Sequence, residues 1–94
     1  MTLTTIRQEI DQIDRQIIAL IAERQEKAGK LALLKLREGI PIRDERRRRE
    51  VLETVFDLAV EQQIDPLNTQ KIFELLIEMS EQRQQGCSGE GNLP

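Results

Sequence analysis

Residues 5–37, TIRQEIDQIDRQIIALIAERQEKAGKLALLKLR, decide the fold. Ile6, Ile10, Ile13, Ile17 and Leu20 recur at spacings of four and three, which lays them along one face of an α-helix. Thr5 and Gln8 precede that stripe in the arrangement of a capping box, predicting a helix start at Thr5. Nothing up to Arg37 breaks the pattern strongly; Gly29 only weakens it. Gly39 and Pro41 predict its end, with a connection over residues 38–43. Such a helix is about 48 Å long. A compact chain of 94 residues has a radius of gyration near 12 Å and is roughly 32 Å across. The stripe therefore overshoots its own globule and needs cover from a second chain. The expectation is an intertwined homodimer with first helices packed along each other. A plain extended coiled coil would suit the isoleucine spacing, but Arg24 interrupts the seam and two further helices need a partner.

Those helices follow in order. Asp44 is a candidate N-cap for a second helix carrying Val51, Leu52, Val55, Phe56, Leu58 and Ala59. Asp65-Pro66 is a cap followed by proline at the first helical position, opening a third helix with Leu67, Ile72, Phe73, Leu75, Leu76, Ile77 and Met79. The fold class is all-α, three helices per chain. Residues 1–85 form the helical domain, and residues 86–94, GCSGEGNLP, read as a flexible tail.

Composition removes several classes of function. Seventeen acids against 14 bases give a net charge of −3, so neither nucleic acid nor an anionic membrane is an expected partner. Phe56 and Phe73 are the only aromatic residues, too few for a base-stacking platform. Histidine is absent and Cys87 is the single cysteine. That excludes a Ser-His or Cys-His nucleophile and a metal site built on histidine or cysteine. No glycine-rich phosphate loop, leader-like apolar stretch or membrane-length apolar run is present, and a reducing cytoplasm is expected.

Each apolar stripe turns polar part-way along. Arg24 lies five full helical turns after Ile6, on the same face, with Lys35 about 20° from it. Asp44 and Arg48 continue the face of Val51 and Val55, with Arg47 at its edge. Ser80 and Gln84 continue the face of Phe73, Leu76 and Ile77. A cation on a core face is costly unless an anion meets it there. Three helices with inward polar groups predict one cation-lined pocket for a small anion. Taken alone, Arg24 and Lys35 also read as cations snorkelling at an interface edge. Ser80 and Gln84 alone read as residues near a helix end, and Asp44 as a cap. The run Arg46–Arg49 sweeps about 300° of helix and does not line one groove.

The ordered set Arg7, Asp14, Arg24, Lys35, Pro41-Ile42-Arg43-Asp44, Arg47, Ile77-Glu78, Ser80 and Gln84 resembles the all-helical chorismate mutases (the AroQ class). The resemblance covers nearly all of residues 4–85 without a gap. It implies a domain-swapped dimer that converts chorismate to prephenate by a Claisen rearrangement, on the route to phenylalanine and tyrosine, without a cofactor. By resemblance, Arg24 holds a substrate carboxylate, with Ser80 nearby. Arg7 reaches in from the partner chain. Lys35 and Gln84 hydrogen-bond the ether oxygen whose bond breaks. Arg47 and Asp44 close the site. The chemistry agrees: a unimolecular pericyclic reaction needs no acid, base or nucleophile, and cations hold a dianionic substrate in its folded conformer. Arg7 lies some 25 Å along the axis from Arg24 and points about 100° away, so it suits the partner's site better than its own chain's.

One position departs from the pattern. Arg48 stands where the family usually has a glutamate that binds the substrate's ring hydroxyl. The related isochorismate-pyruvate lyases share the fold and also depart near helix two, so they are the alternative reading. A non-catalytic helical dimer that binds a shikimate-derived anion is the other.

Overall fold

The computed structural model describes residues 1–87, which contain three helices and no strand. They are α1 (Leu3–Glu38), α2 (Glu45–Glu61) and α3 (Pro66–Cys87). At 1.5 Å per residue the 36 residues of α1 make a rod of about 54 Å. The longest dimension of the molecule is 54 Å and the radius of gyration 16.3 Å, against the roughly 12 Å of a compact chain this size. One helix sets the length of the protein.

The cap of α1 lies three residues earlier than Thr5. Thr2 is extended, and its hydroxyl accepts a hydrogen bond from the Thr5 amide at 3.1 Å while pairing with the Thr5 hydroxyl at 2.8 Å. Thr5 is thereby drawn into the first turn, and the Thr5–Gln8 capping box does not form. At the other end Gly39 adopts the left-handed conformation, φ 70°. The amides of Gly39 and Ile40 then return to the carbonyls of Leu36 and Lys35, a glycine-terminated helix end. Asp44 caps α2 as expected, accepting from the Arg47 amide at 3.0 Å. Asp65 does the same for α3, accepting from Leu67 at 2.9 Å and Asn68 at 3.3 Å. Helix α3 continues past the expected tail boundary, so Gly86 and Cys87 are helical. Residues 88–94, the rest of the expected tail, lie outside the described residues.

Helix α3 is the centre of the chain. It packs against α1 on one side and α2 on the other, while α1 and α2 do not approach each other backbone to backbone among the described residues. Small residues make the α1 contact close. Ala28, Gly29 and Ala32 are buried there, and a Cβ added at Gly29 would sit 3.2 Å from Cys87 Sγ. Val55 and Ala59 supply the α2 side. Polar clamps cross both seams. Arg24 Nη1 donates to the Leu76 carbonyl at 3.0 Å, Gln25 Nε2 to Met79 at 3.3 Å, and Gln70 Nε2 to Leu52 at 2.9 Å.

This core is small. Ala28, Ala32, Val55, Ala59 and Ile77 are the buried apolar residues among those described. The isoleucine stripe in the first half of α1 is left open: Ile10, Ile13 and Ile17 are 50%, 53% and 49% exposed. Burying each such side chain is worth about 1.5–3 kcal/mol, so this stripe is stabilisation that the single chain leaves unused.

Candidate active site

The polar ends of the three stripes converge on one cavity of about 300 Å³, near the lower end for small-molecule sites. Helix α1 contributes Arg24, Lys27, Ala28, Leu31 and Lys35. The following connection gives Ile42 and Asp44, α2 gives Arg47, Arg48 and Val51, and α3 gives Ile77, Ser80, Glu81 and Gln84. Seven of the eight site residues expected from the sequence therefore meet at one place. Arg7 does not; it sits on the uncovered part of α1, about 25 Å along the axis from Arg24.

Five cations and two carboxylates line the cavity, so it is positive within a chain of net charge −3. Arg24 shows the consequence. Its pKa is lowered, first by burial and then by the charge of Arg47. Among the described residues its side chain bonds to a neutral carbonyl. A half-buried guanidinium with no carboxylate partner among those residues and a second cation nearby is poised for an anion. Lys35 is similar. Its Nζ donates to the Ile42 carbonyl at 2.7 Å, which ties α1 to the connection and leaves two ammonium protons free. Arg47 is more exposed and reaches Glu50 at 3.5 Å.

Gln84 is 3% exposed, the one buried polar side chain among the described residues. Its Nε2 donates to Ser80 Oγ at 3.0 Å, and its Oε1 has no partner among the described residues. A half-turn of the amide exchanges its two ends, letting Ser80 donate to Oε1 and freeing Nε2 as a donor. In either orientation one end of a buried amide is left without a partner among the described residues, which is costly unless a further group meets it.

The chemistry this arrangement supports is anion binding with hydrogen-bond donation to a neutral or partly charged oxygen. No group of three or more Cys, Asp or Glu positioned to hold a metal occurs among the described residues. No described helix is long and apolar enough to cross a membrane. Sequence reasoning missed Lys27, Leu31, Ile42, Val51 and Glu81 as lining residues. Lys27 and Leu31 follow Arg24 by three and seven residues, a spacing that keeps them on its face, so that signal was present. Glu81 lies about 40° around α3 from Ile77, at the edge of a face whose polar members were read as Ser80 and Gln84 alone.

The chain is similar to known proteins over most of its length. Residues 6–85 match the family described as chorismate mutase type II. A chorismate mutase of Methanocaldococcus jannaschii is 41% identical over 76 residues, which is 81% of this chain and 77% of the relative. A bifunctional chorismate mutase/prephenate dehydratase of Escherichia coli (strain K12) is 35% identical over 83 residues, 88% of this chain but 22% of the relative. The corresponding protein of Enterobacter agglomerans is also 35% identical, over 21% of its length. The chain thus spans about a fifth of these bifunctional relatives.

Proposed function

This chain belongs to the chorismate mutase type II family, and from that premise we propose that its cavity rearranges chorismate to prephenate. The observation that carries the reading is the convergence of Arg24, Lys35 and Gln84, three hydrogen-bond donors with no carboxylate partner, on one cationic cavity. Arg24, with Ser80 beside it, holds a carboxylate of the substrate. Arg47 and Asp44 close the cavity at the start of α2, and Arg48 adds a further cation. Holding both carboxylates fixes the substrate in the folded conformer in which its reacting carbons meet. As the ether bond breaks, negative charge grows on its oxygen, and Lys35 Nζ with Gln84 Nε2 stabilises it there more than in the ground state. The step is unimolecular. No proton, nucleophile or cofactor enters it.

The active form is a homodimer that buries the isoleucine stripe of α1 and brings Arg7 of one chain toward the cavity of the other. The uncovered stripe and the 54 Å length of the chain support this. Residues 1–85 make up the catalytic unit, and the lone cysteine suits a reducing cytoplasm.

The deciding experiment follows the loss of chorismate absorbance with purified protein and identifies the product by chromatography. Prephenate is the expected product. Pyruvate and salicylate from isochorismate, with no prephenate from chorismate, would transfer the site to the lyase reaction. Ligand-induced thermal stabilisation without turnover on either would leave a binding protein.

A further inference from the structure

We propose that Glu81 is a substrate-positioning carboxylate of this site, accepting the hydrogen bond of the substrate's ring hydroxyl from α3 while Arg48 faces the same cavity from α2. This rests on the reading of the cavity as the chorismate site. Chorismate carries two carboxylates and one ring hydroxyl. The carboxylates find cations in abundance, but a hydroxyl taken out of bulk water on binding needs an acceptor. Arginine and lysine have no acceptor, which removes five of the cavity's seven charged residues from that role.

The remaining acceptors differ in how committed they are. Asp44 is exposed, and its Oδ1 already accepts the Arg47 amide as the cap of α2. Ser80 Oγ is engaged by Gln84, and Gln84 is held against it deep in the wall. Glu50 is not a lining residue, and its carboxylate meets Arg46 and Arg47 at 3.5 Å each. Glu81 lines the cavity, is half-buried, and makes no hydrogen bond or ion pair among the described residues. Around α3, Ser80, Gln84, Ile77 and Glu81 follow at about 0°, 40°, 60° and 100°, so Glu81 forms one edge of the lining face. That edge shares the cavity lining with Asp44, Arg47 and Arg48 at the start of α2. Neither Arg48 nor Glu81 forms a salt bridge within 4.0 Å among the described residues, although both line one cavity of about 300 Å³.

Charge balance is consistent with a carboxylate there. Five cations against Asp44, Glu81 and a dianionic ligand leave the occupied site close to neutral. Losing Glu81 would leave it more positive and the ring hydroxyl without an anionic acceptor.

The test compares kcat and KM of the wild-type chain, Glu81→Gln, Glu81→Ala and the double variant Glu81→Ala/Arg48→Glu. Each is measured on chorismate and on the analogue with hydrogen in place of the ring hydroxyl. Losing a hydrogen bond to a charged group lowers kcat/KM roughly 10- to 100-fold. Glu81→Ala should show that loss on chorismate and match wild type on the analogue. Glu81→Gln, whose amide still accepts, should fall between. The double variant, which returns a carboxylate from the facing helix, should recover part of the loss. Wild-type kcat/KM for Glu81→Ala on chorismate, or an equal loss on both substrates, overturns the proposal. Should the alanine variants not fold, the glutamine variant decides by the same comparison. A wild-type chain that leaves chorismate untouched would overturn the mutase reading itself, a result separate from any effect at Glu81.

Discussion

Gln84 Nε2 and Ser80 Oγ lie 3.0 Å apart, one helical turn from each other on α3, and that bond leaves the other end of the Gln84 amide buried without a partner. The pair is satisfied within itself at only one end. Gln84→Ala should therefore remove a donor that acts in the transition state, lowering kcat by about 10²–10³ with little change in KM. Ser80→Ala should have the smaller effect, about tenfold, because it frees the amide rather than deleting it. Steady-state kinetics on both variants check the order; a larger loss for Ser80→Ala would contradict it.

Lys35 has two tasks, a bond to the Ile42 carbonyl at 2.7 Å and the cavity. Lys35→Met keeps the aliphatic stem and removes the charge. Turnover should fall by about 10² or more. Helical content by circular dichroism should stay at the wild-type level. Near-normal turnover would remove Lys35 from the ether-oxygen role.

Arg24 is held in the fold at a cost. Burial and the neighbouring Arg47 lower its pKa below the usual arginine value, so the unfolded chain binds this proton more tightly than the folded one. Stability from this group accordingly rises with pH only in the strongly alkaline window between its folded and unfolded values, and is flat near neutrality. Activity should vary little between pH 6 and 8, since the chain has no histidine, the side chain whose ordinary range lies there. Arg24→Met should keep or raise the melting temperature of the free protein while abolishing its stabilisation by a dicarboxylate ligand. Calorimetry with and without ligand separates the two effects.

The proposed dimer gives a complementation test. Arg7→Ala and Arg24→Ala each destroy both sites if Arg7 acts across the dimer. Unfolding and refolding them together forms mixed dimers with one intact site. Random pairing should then restore about a quarter of wild-type activity. No recovery would place Arg7 in its own chain's site or outside any site. Ile13→Glu, in the uncovered stripe, should shift the chain to monomers in sedimentation and lower its helix content.

Gln63 carries a positive φ of 60° at the end of α2, where the Ile64 amide returns to the Ala59 carbonyl at 3.0 Å. The left-handed conformation costs a side-chain-bearing residue about 1 kcal/mol. Gln63→Gly should therefore raise stability by roughly 0.5–1 kcal/mol, read from the denaturation midpoint, without altering turnover. Gly39→Ala, at the matching end of α1, should do the reverse.

Much of this was legible in the sequence because helix formation is local. The stripe spacing, the Asp44 and Asp65-Pro66 starts and the Gly39 stop each depend on residues within a turn or two. Arg24, Lys35, Ser80 and Gln84 were visible as polar interruptions of apolar faces, and the family resemblance ordered them into a site. The true cap at Thr2 was missed because two threonines three apart offer competing starts, and only the hydrogen bond that forms chooses between them. By itself the sequence determined three amphipathic helices, their order, and a first helix longer than its own globule. Tertiary structure alone decided that α3 is the shared wall, that Arg48 and Glu81 line the same space, and that the Gln84 amide is buried half-satisfied. Those facts depend on how helices distant in sequence are placed against each other, through small residues such as Ala28, Gly29 and Ala59. Helical periodicity specifies which face turns inward. It does not specify what that face meets.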